Sequence, residues 1–189
     1  MTLMDDKKIY NMNDQVKQGK TGEEKILQLL KVRHPEAKIE DVRNVQKYRT
    51  DDIDFVITLP SKQTKTIEVK TDSYTTGNFA LEEWSTNPKN TDEFGEFIED
   101  GSGSIGCFRK TKADYIYYYF SEWDLLFVMR TEPAQEWFEE ARHTFERSNV
   151  YNEGYKGSIR KVLIGEMQMA LGNNNIKEYK NITKEIENG

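Results

Sequence analysis

One cysteine, Cys107, and two histidines leave this chain of 189 residues with little thiol or soft-metal chemistry. A lone thiol forms no internal disulfide and cannot build a cysteine-based zinc site, so folding must rest on an apolar core. His34 and His143 lie far apart and match no metal-ligand spacing, so each reads as a surface histidine. Long apolar runs are missing too. Nowhere do about eighteen apolar residues follow one another, and Met1-Thr2-Leu3-Met4-Asp5-Asp6 lacks a secretory apolar stretch. A cytoplasmic protein with no membrane partner is therefore expected, and Asn181-Ile182-Thr183 is a sequon without glycosylation chemistry behind it. There is no internal repeat and no low-complexity tract. The length bounds a single domain, with residues 1–18 as an N-terminal arm, 84–106 as an acidic, flexible insertion and 172–189 as a C-terminal helix or tail.

Excess positive charge is also lacking. The net charge is −6, whereas proteins that bind nucleic acid usually draw affinity from neutralising phosphates. The deficit is local: residues 82–100 hold seven acids against Lys89, leaving 26 acids and 26 bases elsewhere. A neutral body can still present a basic face, for instance through Arg43, Lys47, Arg49, Lys62, Lys65, Arg109, Lys110 and Lys112. The acidic stretch reads as a solvated loop by default, with a lid over the basic face or a protein-docking site as the alternatives.

What the sequence does have is clear periodicity. Ile26, Leu27, Leu30 and Val32 give a helix over 20–33, stopped by Pro35. A strand over 39–48 leads into 53–59, where Ile53, Phe55, Ile57 and Leu59 share one face and Asp54 takes the other. Pro60-Ser61-Lys62-Gln63 reads as a hairpin connection to a strand over 65–71, in which Glu68 and Lys70 share a face opposite Ile67 and Val69. Another strand covers 76–84, and residues 100–104 read as a mobile loop. The aromatic, branched segments 114–120 and 125–130 are the strongest strands, with Tyr115, Tyr117 and Tyr119 better read as core than as base-stacking groups. Ala134, Trp137, Phe138, Ala141 and Phe145 mark an amphipathic helix, 159–164 a strand, and Ile176, Tyr179, Ile182 and Ile186 a weaker helical stripe that could join two copies in a homodimer.

Chemistry concentrates on the hairpin. Asp54 and Glu68 project from adjacent strands on the same side, and two carboxylates that close are tolerable mainly with a cation between them or a proton on one. Mg²⁺ suits such a pair, since it takes oxygen ligands and is usually held by one or two carboxylates with waters and a substrate phosphate; Mn²⁺ would substitute. Lys70 emerges on the same face, placed to steady an attacking water or a phosphate anion. On the next strand Thr75, Asn78 and Glu82 are candidates for phosphate positioning, although a polar edge strand would look the same. The plain alternative for Glu68 and Lys70 is a solvated salt pair. Gly19-Lys20-Thr21 lacks the spacing and preceding strand of a phosphate-binding loop, and Cys107 reads as a small buried thiol.

These residues resemble the PD-(D/E)xK nucleases. Asp52-Ile53-Asp54-Phe55-Val56-Ile57 looks like that family's acidic strand, Thr66-Ile67-Glu68-Val69-Lys70 like its Glu-x-Lys strand, and Gly22-Glu23-Glu24-Lys25-Ile26 like its opening-helix glutamate, with Glu23 the better match because it lies inward. Thr111-Lys112-Ala113-Asp114-Tyr115 is similar to the lead into a later core strand, so the resemblance spans roughly residues 20–130. The name-giving Pro-Asp is absent, Ile53 preceding Asp54. The resemblance implies an α/β, restriction-endonuclease-like core, a mixed central β-sheet flanked by helices. It also implies Mg²⁺-dependent cleavage of DNA, duplex or branched, with RNA left open. Asp54, Glu68 and Lys70 would be catalytic, Glu23, Asp54, Glu68 and the main-chain carbonyl of Val69 would hold metal, and Thr75, Asn78 and Lys112 would bind substrate. The rival expectation is an inactive protein on the same fold, acting as a DNA mimic or interaction module.

Overall fold

The computed structural model describes residues 12–152 and 154–189. In chain order the elements are α1 (Met12–Arg33), β1 (Lys38–Asp41), α2 (Gln46–Thr50), β2 (Phe55–Thr58), β3 (Thr64–Asp72), β4 (Asn78–Thr86), β5 (Ser104–Ile105), α3 (Cys107–Lys110), β6 (Tyr115–Phe120), β7 (Leu125–Arg130), α4 (Thr131–Ala141), β8 (Glu146–Asn152), β9 (Tyr155–Leu163), α5 (Ile164–Leu171), β10 (Ile176–Lys180) and α6 (Ile182–Asn188). The main sheet runs β1-β2-β3-β6-β7-β10, antiparallel except for the parallel pair β3 and β6, and a second sheet runs β5-β4-β9-β8. The protein is thus mixed α/β, with a mixed central sheet flanked by helices.

Alternation along the strands assigns the two faces of the main sheet. Phe55, Ile57, Ile67, Val69, Tyr117 and Tyr119 turn toward Ile26, Leu29 and Leu30 of α1 and Ile182 of α6. Tyr118, Phe120, Phe127 and Met129 turn the other way, onto Phe79 and Leu81 of β4, Phe138 of α4 and Met167 of α5. The tyrosine row is core, as its composition suggests. Turn chemistry closes the β2–β3 hairpin: Leu59 N–H donates to Gln63 O at 2.9 Å, and Lys62 takes a positive φ of 67°. Among the described residues no helix is long and apolar enough to cross a membrane.

Several expectations change. Residues 12–18 of the supposed arm belong to α1, which starts well before Lys20; residues 1–11 of that arm lie outside the described residues. The expected strand over 39–48 ends at Asp41 and gives way to α2. Ile53 leaves the Phe55 and Ile57 face to pack with Val42, Val56 and Ala113, because the turn at Asp52, with φ 47°, breaks the two-residue period before β2 begins.

Residues 84–106 are not a free acidic insertion. Asp92 Oδ1 accepts the N–H groups of Phe94 and Glu96, both at 2.9 Å, and Ser102 N–H donates to Asp100 at 2.8 Å, so side chains tie the loop together. Glu96 is ion-paired to Arg160 and Arg147, Glu99 to Arg109, and the fully buried Glu83 to Arg160 and Arg142. Much of the negative charge that suggested a lid or docking surface is met from within.

The C-terminal stripe is likewise used internally. Residues 176–180 form a strand on β7 rather than a helix, since an i, i+3 pair such as Ile176 and Tyr179 does not distinguish the two without the partner strand. Ile176 and Ile182 are buried, and Tyr179 and Ile186 pack on the α1 cluster, leaving that stripe no apolar face for a second copy. Ile182→Ala should therefore cost about 2–4 kcal/mol in chemical denaturation with unchanged sedimentation; a loss below about 1 kcal/mol would contradict the docking of α6.

Candidate active site

The chemistry-bearing residues gather where β2 stops. β2 pairs with β3 only as far as Phe55 and Ile67, whereas β6 accompanies the other edge of β3 from Ile67 to Asp72. Past Ile67 one edge of β3 therefore lacks a strand. Asp54 fills the gap with its side chain: its N–H donates to Ile67 O at 2.8 Å, and its Oδ2 accepts the N–H of Val69 at 2.8 Å. A ladder bond is thus replaced by a charge-assisted one that fixes the carboxylate.

The segment before β6 clamps the turn that delivers Asp54. Thr111 Oγ1 donates to Asp52 O at 2.7 Å, and Lys112 N–H donates to Asp51 O at 2.9 Å. Asp52, two residues before Asp54 and the other acid of that segment, is taken by Lys110 at 3.0 Å.

Glu68 and Lys70, two apart on β3, turn to the same face, with Lys70 Nζ 3.0 Å from Glu68 Oε1. Glu68 is 6% exposed, which removes the plain reading of a solvated pair. Burial raises the Asp54 carboxyl above its ordinary value, against the Val69 N–H that lowers it and with the Glu23 charge adding to it; the carboxyls of Asp54 and Glu68 interact directly. For Glu68 burial dominates, Lys70 opposes it and Asp54 adds to it, and the group is pushed up to about 8. Burial also works against the Lys70 charge, but the carboxyl groups of Glu68 and Glu82 hold its ammonium above the ordinary lysine range.

On β4 and α3, Glu82 and Cys107 bond to one another, and the charge of Glu82 is felt by Lys70. Cys107 N–H donates to Glu82 Oε2 at 2.8 Å, and Ser85 Oγ donates to Glu82 Oε1 at 3.2 Å. Burial keeps the Cys107 thiol protonated, well above its ordinary pKa. Sequence reasoning placed Glu82 only loosely and read Cys107 as a small buried thiol, in keeping with its protonated state, but could not see its main-chain bond to Glu82, because α3 is four residues long and too short for any periodic signal.

Other candidates stand apart. Glu23 faces inward while Glu24 faces out, with side chains 24% and 55% exposed, but Glu23 Oε2 is held by Arg43 Nη1 at 2.8 Å. Arg43 thus pairs with one of the two Glu23 carboxylate oxygens, and among the described residues no three acids, histidines or cysteines form a metal-holding group. Lys112 is ion-paired to Asp51 at 2.7 Å on the rim. Thr75 is exposed in the β3–β4 turn, and Asn78 Nδ2 donates to Thr76 O at 3.2 Å; among the described residues neither bonds to Asp54 or Glu68. Of the expected basic face, Arg43, Lys65, Arg109, Lys110 and Lys112 are ion-paired, while Lys47, Arg49 and Lys62 have no ion pair among the described residues.

The donor set suits a hard divalent cation with few protein ligands. Asp54 and Glu68 offer oxygen only, and two interacting acids of raised pKa need a proton or a cation. In metal-free protein the proton has a measurable consequence. The fold keeps Glu68 protonated up to about 8, whereas the unfolded chain releases that proton near the ordinary 4.5. The contribution is thus fully present below about 4.5 and lost as pH rises through 8, at up to about 1.4 kcal/mol per pH unit. Thermal unfolding with chelator should show wild type losing stability over that window more steeply than Glu68→Gln; equal slopes would refute the shift.

Fold and site together define a mixed α/β protein with two interacting acids, the half-buried Asp54 and the buried Glu68, and a lysine where two strands of its main sheet part. No known protein family and no curated protein matches the sequence. Among solved structures, a bacterial homing endonuclease, I-Ssp6803I, is similar over 62% of this chain and 69% of its own, at 13% sequence identity and a TM-score of 0.40. A likeness of that degree carries no weight for function, which rests on the site's own geometry.

Proposed function

We propose that this protein is a Mg²⁺-dependent deoxyribonuclease of the PD-(D/E)xK type. The observation that carries the reading is the interacting Asp54 and Glu68 pair, both of raised pKa, with the Lys70 ammonium 3.0 Å from the buried Glu68. Asp54, Glu68 and the main-chain carbonyl of Val69 would hold the ion. When bound, the ion would lower the pKa of a coordinated water and offset charge on the phosphate. Lys70 then orients the attacking water and stabilises the anionic oxygens. Asp54, fixed through Val69 N–H, sets where the scissile phosphate sits. Glu23 serves as counter-charge to Arg43 rather than as a third ligand, and Lys112 lies on the rim where a DNA backbone would pass.

The rival reading, a DNA-mimicking interaction module, needs a free acidic surface, and the pairing of Glu83, Glu96 and Glu99 with arginines works against it. The test is incubation with linear duplex, single-stranded and branched DNA and with RNA in Mn²⁺, paired with calorimetry. DNA cleavage abolished by chelator, and Mn²⁺ binding lost in Asp54→Asn, are the expected results. Cleavage of no substrate, or of RNA alone, would overturn the proposal.

A further inference from the structure

α1 meets the end of β3 at a glycine. A Cβ on Gly22 would come within 1.9 Å of Thr71 Oγ1, so the contact leaves no room for a larger residue. Beside it lies a cavity of about 390 Å³, walled by Lys17, Thr21 and Lys25 of α1 on one side and by Thr71, Tyr119 and Ser121 on the other. Positions 17, 21 and 25 are four apart and share one helix face. β3 and β6 are the parallel pair of the main sheet, and open α/β sheets bind ligands outside the carboxyl ends of such strands.

The walls are cationic and hydroxylic. Among the described residues no acid lines the cavity, and the exposed Lys17 has no ion pair. Lys25 Nζ is held in place by Thr183 Oγ1 at 2.6 Å and Tyr119 OH at 3.2 Å, with Asp124 3.8 Å away as a partial counter-charge. The Thr71 hydroxyl oxygen is buried without a hydrogen-bond partner among the described residues. One unpaired ammonium and one already fixed, set among hydroxyls, suit an anion with several oxygens, and lysine binds phosphate as a point charge.

Position indicates which phosphate. Thr71 follows Lys70 directly and lies about 10 Å beyond Glu68, at about 3.3 Å per residue of strand. Successive phosphates of one DNA strand advance about 3.4 Å along the duplex axis. Past Ile67 that edge of β3 carries no strand, so DNA lying along it with its scissile phosphate at Asp54 and Glu68 brings a phosphate two or three steps away to the cavity.

We propose that this cavity binds a backbone phosphate of the strand being cut, two or three linkages from the scissile one, with Lys17 supplying the charge and Lys25 a fixed donor. The inference rests on the nuclease reading above.

Binding and steady-state cleavage of the DNA substrate found in the panel, across a salt series, test it, with thermal unfolding measured alongside. Lys17→Gln should weaken DNA binding about three- to tenfold, lower the slope of log affinity against log salt by about 0.9, and act through KM rather than kcat. Gln18→Trp adds bulk to the cavity wall without changing charge and should do the same, whereas Lys31→Gln, in the last turn of α1, should match wild type. An uncharged methylphosphonate linkage two or three steps from the cut should weaken wild type by the same factor and add nothing in Lys17→Gln. Wild-type affinity and salt slope in Lys17→Gln and Gln18→Trp would overturn this inference alone, as would a neutral linkage that costs as much in Lys17→Gln as in wild type. Inorganic phosphate that binds the protein tightly yet leaves its DNA affinity untouched would assign the cavity to a free anion and overturn it too. Full activity of Lys70→Ala, or no cleavage by wild type, would remove the nuclease reading and this inference with it.

Discussion

Glu68→Gln is expected to lower DNA cleavage by about a thousandfold or more while leaving the fold intact. The amide keeps the size of the carboxyl and resembles its protonated form, the one the metal-free site favours with a pKa near 8. Its unfolding temperature at neutral pH should therefore match or exceed that of wild type. It cannot supply the anionic oxygen that a divalent ion needs, so Mn²⁺ binding should disappear in calorimetry. Lys70→Ala should lose activity by about a hundred- to ten-thousandfold yet retain Mn²⁺, since Asp54 and Glu68 remain. The raised Glu68 pKa adds a second signature: uptake of the ion near pH 7 should release about one proton, read as a dependence of apparent enthalpy on buffer ionisation. Full activity of both purified variants would refute the assignment.

How much of this was legible in the sequence depends on where each residue's partners lie. Asp54, Glu68 and Lys70 could be placed together because a hairpin is local: turn residues and a two-residue period align neighbouring strands without knowledge of the rest. The inward face of α1 was legible for the same reason. β8 was not, because its composition, Glu-Arg-Ser-Asn-Val-Tyr-Asn, is that of a polar edge strand and its pairing with β9 is the only thing that makes it one. Without β8 the strands read at 76–84 and 159–164 could not be assembled into a second sheet. Charged residues misled in a different way. Glu83 was counted with a solvated acidic stretch, yet it and Arg160 are 0% and 2% exposed, and only ion pairing makes such burial tolerable. Pattern reading sees the period of a side chain but not the distant partner that satisfies it.

That pairing carries the largest stability effect expected in the molecule. Arg160 on β9 clasps Glu83 on β4 through Nε to Oε2 at 2.8 Å and Nη2 to Oε1 at 3.0 Å, a bidentate contact. Its Nη1 also donates to Phe145 O at 3.0 Å, and its other charged partner is Glu96 in the loop after β4. Replacing it with methionine preserves much of the volume but leaves Glu83 in the interior with Arg142 as its remaining charged partner, 2.8 Å away and itself only 14% exposed. Breaking a buried pair from one side costs about 3–5 kcal/mol, so Arg160→Met should be destabilised by that amount in chemical denaturation. Glu83→Gln should cost somewhat less, because the amide still accepts from both arginines. The double variant Glu83→Leu with Arg160→Met should recover a large share, since no charge is then stranded, and the non-additivity in that cycle should exceed about 1 kcal/mol. Arg160→Met also leaves Glu96 with Arg147 as its remaining arginine, so the loop after β4 should become more sensitive to limited proteolysis than α1 or the β2–β3 hairpin. An Arg160→Met protein within about 1 kcal/mol of wild type would mean that the second sheet is held by its apolar contacts alone.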